Sequence, residues 1–334
     1  MTPYLDIRVT EPSQVGEARR VAQRLAESSG FDELACGRIG IIATELGANL
    51  ARHAQEGRLL IGCRPAEEGR RFEILSIDRG PGMSDVNRCL RDGFSTGATP
   101  GTGLGAVQRL SSDFSVYSAP GKGSVILSRL RPPAPAGGAA SPARIAWAGL
   151  TLAAPGERVS GDGWELRVAN GRAVVVVADG LGHGPVAAQA SDAGLEAFRA
   201  DSGTPSALLE RAHQMMRHTR GAAMAIAELD VDAAGLVFAG AGNISGRIIS
   251  GVEDRTLLSQ HGTLGVQIRR LQDMRYPWPD HALVVLHSDG ITTRWTLGDD
   301  GGLLQCDPAV LAAWLLRDHL RGRDDATAVV LKRG

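Results

Sequence analysis

The sequence predicts an α+β protein of two domains, in each of which helices pack against strands. The chain has 334 residues, more than one hydrophobic core usually organises. Residues 131–144, RPPAPAGGAASPAR, are rich in proline, glycine and alanine, which is typical of a linker. On both sides of this stretch, apolar residues at helical spacing alternate with short apolar runs of strand length. We therefore expect domains at 1–131 and 145–334, joined by a linker at 132–144.

Composition narrows the class of protein. Charged residues make up 22% of the chain and its formal net charge is −1, so no basic field would capture nucleic acid or an anionic membrane. The four cysteines form no CxxC pair, which argues against a zinc site and a disulfide framework. No apolar run is long enough to span a bilayer, and the N-terminus lacks a signal-peptide pattern. We expect a cytoplasmic protein with protein or small-molecule partners, without contact to nucleic acid or membrane.

Two amphipathic helices are predicted at the start of the first half. Residues Ser13–Ser28 carry apolar side chains at helical spacing, and Gly30 ends the pattern. The second helix is expected to run from Asp32, a suitable N-cap, to His53. Its buried stripe consists of Ile39, Ile42, Leu46 and Leu50.

Strands dominate the rest of the first half. Apolar runs predict four of them: Arg58–Arg64, Arg71–Asp78, Phe114–Ser118 and Ser124–Leu130. The last two form a hairpin that turns at Pro120-Gly121, and a helix precedes them at Ala106–Ser112. These elements predict an α/β sandwich for the N-terminal domain.

The second half contains many short apolar runs interrupted by three helical segments. The predicted strands are Ile145–Leu152, Trp164–Ala169, Ala173–Ala178, Ala223–Asp230, Gly235–Ala239, Arg247–Ile249, Ala282–His287 and Ala326–Leu331. The predicted helices are Pro185–Ala200, Ser206–Thr219 and Pro308–Leu320. The C-terminal domain is therefore expected to be rich in sheet.

Three polar residues of the second helix project from one stripe. Glu45, Asn49 and His53 are spaced at i, i+4 and i+8, so they lie beside the buried face and can line a cleft. A carboxylate can act as a base, and an amide oxygen is a suitable Mg²⁺ ligand. A solvated helix face shows the same spacing, so the pattern alone leaves both interpretations open.

Two glycine-containing segments have the chemistry to contact a nucleotide. Asp78 ends a predicted strand and is followed by Gly80 and Gly82, so the carboxylate can accept from an exocyclic amine while a flat ring approaches the backbone. A strand-end turn is the alternative. Residues 97–105, GATPGTGLG, run into the helix predicted at Ala106, whose free amides can bind phosphates. By itself a glycine-rich run is a weak signal.

In chain order, the segments ELGAN, DRGPG and GTGLG resemble the N, G1 and G2 boxes of the GHKL ATPase superfamily. The segment LRDGFSTGATPGTGLGAVQRLSSDFSVYSAPGKGS is similar to the switch kinase of the bacterial stressosome and to anti-sigma-factor kinases. This resemblance, over residues 5–131, implies a GHKL (Bergerat) α/β sandwich with serine/threonine protein kinase activity that uses ATP and Mg²⁺. It implies Glu45 as general base, Asn49 as magnesium ligand and Asp78 as the carboxylate that reads adenine. The nucleotide-binding residues it implies are Glu45, Asn49, Asp78, Gly80, Gly82, Gly101, Thr102, Gly103, Leu104 and Gly105.

Four aspartates of the second half lie at the ends of apolar runs: Asp162, Asp179, Asp289 and Asp324. Strands that end at one edge would gather these carboxylates. Packed together they would repel one another, whereas two divalent metals would neutralise them and activate a water molecule. Aspartates beside glycines also commonly form turns, and that alternative holds for each of them taken alone.

The segments around these aspartates resemble the SpoIIE type of metal-dependent (PPM) protein phosphatase, in the same order and over residues 145–334. The resemblance implies a PPM-type α-β-β-α sandwich and two Mn²⁺ or Mg²⁺ ions. The metal ligands it implies are Asp162, Asp179, Asp289 and Asp324, together with the Gly180 carbonyl, and Asp179 and Asp289 count also as catalytic. Gly180 stands where many relatives carry an apolar residue. Asp325 ranks second to Asp324 as a ligand, and His183 either orients a phosphate or belongs to a turn.

Both resemblances together imply a bacterial signalling regulator with opposing activities. It would phosphorylate or dephosphorylate serine and threonine on STAS-domain proteins, which belong to the stressosome or to a sigma-factor regulatory module. Two alternatives stay open: an ATP-sensing phosphatase without kinase activity, and a nucleotide-dependent anti-sigma binding module. The sequence leaves the oligomeric state open, a homodimer included.

Overall fold

The computed structural model of the chain describes residues 3–64, 70–91, 103–132 and 144–333. Contacts divide the chain into two compact units, one holding Tyr4–Ala139 and the other Ala140–Gly334. The division falls inside the stretch predicted as a linker, most of which lies outside the described residues.

The first unit combines helices with a single sheet. Its described elements are β1 (Leu5–Arg8), α1 (Pro12–Ser28), α2 (Glu33–His53), β2 (Arg58–Arg64), β3 (Arg71–Asp78), α3 (Val86–Cys89), α4 (Gly103–Leu110), β4 (Asp113–Ser118) and β5 (Ser124–Leu130). The strands are ordered β1-β2-β3-β5-β4, and every described neighbour pair is antiparallel. Apolar residues of α1, α2 and α4 pack with alternate residues of β2, β3 and β5 into one core, so the predicted α/β sandwich is confirmed.

Apolar periodicity and capping residues in the sequence predicted the bounds of α1 and α2 closely. Asp32 caps α2, because its Oδ1 accepts a hydrogen bond from the Ala35 amide at 2.7 Å. The short helix α4 begins at Gly103, three residues before the predicted Ala106, because the GLG segment already forms its first turn. Strand β1 was not predicted, since Leu5–Arg8 is an edge strand of only four residues, too short for its apolar alternation to stand out.

A buried carboxylate organises the interior of the first unit. Glu73 on β3 is only 1% exposed, accepts a hydrogen bond from the Tyr4 hydroxyl, and binds Arg129 Nε at 2.6 Å. Burial by itself raises the pKa of Glu73, but the charges of Arg129, Arg71 and Arg64 outweigh it and lower that pKa to about 2. The ionised carboxylate therefore stabilises the fold.

We expect Glu73→Gln to lower the free energy of unfolding of this unit by about 3–5 kcal/mol, because it leaves buried guanidinium charge uncompensated. The depressed pKa also fixes a pH dependence. The contribution of Glu73 is complete above its ordinary pKa of 4.5 and is lost as the pH falls towards 2. Urea unfolding at pH 7 and pH 3 measures both effects, with exposed Glu27→Gln as the control. Equal losses in the two variants at pH 7 would contradict the assignment.

The second unit is richer in strands. Its described elements are β6 (Ile145–Leu152), β7 (Asp162–Ala169), β8 (Arg172–Gly180), α5 (Gly184–Ala200), α6 (Pro205–Met215), β9 (Ala222–Asp230), β10 (Gly235–Ala241), β11 (Ser245–Ile249), β12 (Asp254–Leu257), β13 (Gly262–Thr263), β14 (Gln267–Ile268), β15 (Met274–Pro277), β16 (Leu283–His287), α7 (Pro308–Asp318) and β17 (Ala326–Arg333). Short 3₁₀ segments lie at Met216–His218 and Gly298–Gln305.

Two five-stranded sheets form the centre of this unit, ordered β15-β10-β9-β8-β7 and β12-β11-β16-β17-β6. One core fills the space between them, and a second lies between the first sheet and helices α5 and α6. Helix α7 packs on β6 and β17 of the other sheet. The layers therefore follow the order helix, sheet, sheet, helix, which confirms the expected four-layer sandwich.

Two strand boundaries differ from the prediction in a way that affects the site. Strand β7 begins at Asp162 rather than Trp164, and β8 ends at Gly180 rather than Ala178. Both aspartates, Asp162 and Asp179, therefore belong to the ladder itself. No helix within the described ranges is long and apolar enough to cross a membrane.

Candidate functional sites

The polar stripe of α2 meets the start of α4. Glu45 and Asn49 are half-buried, whereas His53 is exposed. A Cβ atom on Gly103 would lie 2.8 Å from Glu45 Oε2 and 3.9 Å from Asn49 Oδ1, so only a glycine allows this approach without displacement. Asn49 and Glu45, which lie 54 and 58 positions before Gly103 in the sequence, are thus close to it in the fold. The stripe therefore approaches the start of α4 at Glu45 and Asn49, and its role in lining a cleft stays a prediction.

Asp78 ends β3 in a tight turn. Its Oδ1 accepts a hydrogen bond from the Gly80 amide at 2.7 Å, so the alternative of a strand-end turn is realised. That turn also fixes the direction of the carboxylate. Gly82 has φ +67°, and a Cβ there would lie 2.0 Å from the Ala119 carbonyl oxygen. Both glycines are therefore required by close backbone packing.

The predicted phosphate segment is described only from Gly103 onward. Gly101 and Thr102 lie outside the described residues. Gly103, Leu104 and Gly105 form the first turn of α4. The Leu104 side chain packs in the core of the first unit.

Asp162 and Asp179 face each other across the first two strands of the second unit. They are direct partners in the antiparallel register of β7 and β8, and Asp162 is only 6% exposed. Burial raises the pKa of both carboxyl groups. The charge of Asp162 raises the pKa of Asp179 further, as do those of Asp289 and Asp324. Carboxylates in this arrangement need cations to ionise together.

Asp289 and Asp324 approach from the second sheet. Asp289 follows β16 and accepts a hydrogen bond from Asn243 Nδ2 at 2.7 Å. Asp324 precedes β17, which is the antiparallel neighbour of β16. The charges of Asp162, Asp289 and Asp324 all act on Asp179, but in the described part of the chain no group of three or more His, Cys, Asp or Glu side chains has the arrangement of a metal site.

Asp325 has a different role from its neighbour. Its two carboxylate oxygens accept the amides of Ala154 and Gly161, each at 2.8 Å, and its side chain is 2% exposed. These bonds tie the start of β17 to the segment that leads into Asp162. Asp325 therefore has a structural role, and the ranking of Asp324 over Asp325 as a ligand stays a prediction.

Three polar neighbours of the predicted site residues were missed by sequence reasoning. Ser288 is fully buried, donates to Asp162 Oδ2 at 2.5 Å and accepts from the Thr327 amide at 2.9 Å. Asn243 orients Asp289, as described above. Glu157 binds His183, with Oε1 2.9 Å from Nδ1. Ser288 lies directly before Asp289 and Glu157 lies five positions before Asp162, whereas Asn243 is distant along the chain from every one of the four aspartates.

The loop after β8 is closely packed. The Gly180 amide donates to the Gly161 carbonyl at 3.2 Å, and a Cβ on Gly180 would lie 2.1 Å from the Ala187 carbonyl oxygen. A side chain at this position would therefore collide with α5. His183 lies directly before α5 and makes no side-chain cap to it.

A cleft of about 490 Å³ is lined by residues of β11 and β12, and Asn243 forms part of its wall. Asn243 also donates to Asp289, so one wall residue of the cleft contacts the carboxylate site. Arg247 stacks on Trp295, with its guanidinium carbon 3.8 Å from the ring centroid, and pairs with Asp254. The cleft thus combines an aromatic wall with fixed polar groups.

Two protein families match the two halves of the chain. The histidine kinase-like ATPase domain family matches residues 9–129, and the family of stage II sporulation protein E (SpoIIE) matches residues 169–334. The first range contains Glu45, Asn49 and Asp78. The second contains Asp179, Asp289 and Asp324, whereas Asp162 lies before it.

Comparison with characterised proteins agrees with this division. The chain is 32% identical over 121 residues to the serine/threonine-protein kinase RsbT of Bacillus subtilis (strain 168), a match that covers 36% of this chain and 90% of RsbT. A chain of the structure described as "The bacterial stressosome: a modular system that has been adapted to control secondary messenger signaling" is similar with a TM-score of 0.53 and 26% identity. That match covers 56% of this chain and 99% of the stressosome chain.

A structure of RsbX in complex with magnesium shares the fold, with a TM-score of 0.50 and 20% identity over 57% of this chain and 96% of RsbX. The α/β sandwich of the first unit and the four-layer sandwich of the second agree with the two families. The chain belongs to the RsbT-type serine/threonine kinase family through its N-terminal histidine kinase-like ATPase domain, to which a SpoIIE-type phosphatase domain is joined.

Proposed function

We propose that this chain is a bifunctional partner-switching regulator that adds and removes phosphate on serine or threonine of STAS-domain proteins. Residues 1–131 would bind ATP with Mg²⁺ and transfer phosphate, and residues 145–334 would hydrolyse the phosphoester. The likeness to RsbT and to a stressosome structure supports both the class of reaction and the class of partner.

The observation that carries the phosphatase proposal is the burial of Asp162 opposite Asp179, within the electrostatic reach of Asp289 and Asp324. A fold gains no stability from burying mutually repelling carboxylates, so their presence points to function.

The donor chemistry fits divalent cations. All four side chains offer hard oxygen ligands, which suit Mg²⁺ and Mn²⁺. Asp162, Asp179, Asp289 and Asp324 would hold two ions, and the Gly180 carbonyl would complete one coordination shell. Phosphate oxygens and water would supply the ligands that the side chains do not. Bound cations would offset the charge of the site and make a water molecule a stronger nucleophile.

The surrounding residues would position the ligands. Ser288 holds Asp162 by a hydrogen bond, Asn243 holds Asp289, and Asp325 fixes the segment before Asp162. Neighbours of this kind are needed because a ligand that is free to rotate binds a metal weakly.

In the kinase unit, the meeting of α2 with α4 supports the roles that the resemblance implies. Glu45 would accept the proton of the attacking serine hydroxyl, and Asn49 would hold the Mg²⁺ of ATP. Asp78 would accept from the adenine amino group, with Gly80 and Gly82 beneath the ring. The amides of Gly101, Thr102, Gly103, Leu104 and Gly105 would bind the phosphates.

We expect the full chain to hydrolyse phosphoserine on a STAS-domain protein with Mn²⁺ or Mg²⁺ and to lose this activity in excess EDTA. Metal at about 100 times its dissociation constant should also stabilise the native state by roughly 2.7 kcal/mol, which thermal unfolding detects. Restoring the metal should restore both effects. Hydrolysis that resists the chelator, with no thermal shift on adding metal, would rule out the proposed chemistry.

A further inference from the structure

An arginine lies beside the loop that follows β8. Arg220 belongs to the connection between the 3₁₀ segment Met216–His218 and β9. A Cβ on Gly182 would lie 3.4 Å from Arg220 Nη1, so the guanidinium lies close to that loop, within van der Waals distance of a side chain placed there. Gly182 has φ +97°, a conformation that side chains rarely adopt.

Strand pairing fixes where this arginine stands. Asp179 pairs with both Asp162 and Ala223, and Gly180 pairs with Ala222 at the start of β9. The Leu181 amide then donates to the Gly221 carbonyl at 3.0 Å. Arg220 therefore extends from the same end of the sheet at which the Asp162–Asp179 pair lies.

The charge of Arg220 is not used within the fold. Its side chain is exposed, and across the described ranges no carboxylate forms an ion pair or a hydrogen bond with it. By contrast, Arg172 and Arg199 of the same unit pair with Asp230 and Glu165. A cation is thus available at the rim of a strongly acidic site.

We infer that Arg220 binds the phosphoryl group of the substrate. This inference rests on the proposed phosphatase function and names the residue that would recognise the phosphoester. A phosphoserine dianion that approaches four carboxylates is repelled, and a guanidinium offers a planar fork of N–H donors that matches two phosphate oxygens. Arg220, which lies beside the loop at 180–184, would supply these N–H donors and the positive charge.

The step that Arg220 would assist is simple hydrolysis. A water oxygen forms a bond to phosphorus while the bond from phosphorus to the serine oxygen breaks. The water gives up a proton and the serine oxygen gains one, so the products are serine and hydrogen phosphate. Arg220 stays on the non-bridging oxygens throughout, where it holds the group in line and offsets its charge.

Binding of inorganic phosphate tests this assignment without relying on turnover. We expect the full chain with Mg²⁺ to bind phosphate in calorimetry and Arg220→Ala to bind it about 10-fold to 100-fold more weakly, as loss of a charge-assisted contact predicts. Arg220→Lys should fall between the two, since it keeps the charge without the fork. Thermal unfolding of the variants should match wild type because the side chain is exposed.

Two further arginines provide the comparison. Arg217→Ala, three residues away and equally exposed, should bind phosphate like wild type. Arg323, next to Asp324, is the rival ligand. The inference is overturned if Arg220→Ala binds phosphate as wild type does, if wild type does not bind it, or if Arg323→Ala alone loses binding. Failure of the wild type to hydrolyse phosphoserine while it binds phosphate through Arg220 would reject the proposed activity and leave the assignment of Arg220 intact.

Discussion

Asp289→Asn is expected to lower metal-dependent hydrolysis of phosphoserine by at least about 100-fold, since a divalent cation supplies several kcal/mol of stabilisation and 1.36 kcal/mol corresponds to tenfold in rate. Asparagine keeps an oxygen that can accept from Asn243, so the substitution removes charge with little change of shape. Steady-state hydrolysis with saturating Mn²⁺ measures the loss.

Asp179→Asn should show the same loss of activity with a distinct effect on stability. Because burial and neighbouring carboxylates disfavour the charge of Asp179, the metal-free variant should be no less stable than metal-free wild type. The stabilisation by metal should shrink. Asp192→Asn, an exposed charge change on α5, is the matched control. Full turnover in both site variants would remove the carboxylates from the mechanism.

Glu45→Ala is expected to lower phosphate transfer to a STAS-domain protein by about 100-fold to 10,000-fold, the usual cost of losing a positioned base. ATP binding should survive, because the base acts only when the acceptor hydroxyl attacks. Calorimetry of ATP binding beside a single-turnover transfer assay separates the two effects.

Two further variants serve as comparisons for Glu45→Ala. Glu33→Ala, at the exposed start of the same helix, should transfer phosphate like wild type. Asp78→Asn should instead weaken ATP binding, because an amide presents a donor where the carboxylate accepts. An unchanged transfer rate in Glu45→Ala would exclude it as the base, and equal ATP affinity of wild type and Asp78→Asn would exclude the adenine contact.

The main elements could be predicted from sequence because their apolar periodicity is strong. Helix α2 shows a continuous buried stripe and a capping aspartate, and the central strands are nearly all apolar. The edge strands β1, β12 and β15 could not be predicted, since each has only four residues and a pattern that short is not distinctive. The start of α4 was misplaced because glycines have low helix propensity, which the packing of α4 against α2 overrides here.

The candidate sites could likewise be predicted only in part from the sequence. Aspartates at strand ends could be recognised from local sequence, and their facing arrangement follows from the antiparallel pairing of β7 and β8. The hydrogen-bond partners of these aspartates could not be recognised from local sequence, because Ser288 lies 126 positions from Asp162 and Asn243 lies 46 positions from Asp289. Contacts between distant segments depend on sheet order, which periodicity does not encode.

The central claim is that one chain carries two opposing activities, and a time course of phosphate on one STAS-domain protein tests it most directly. With Mg²⁺ and ATP, Asp289→Asn should accumulate phosphoprotein to a plateau, Glu45→Ala should form almost none, and wild type should hold a lower level that rises when the phosphatase is blocked. Phosphoprotein that is absent from all three, or that forms and decays identically in all three, would contradict the account.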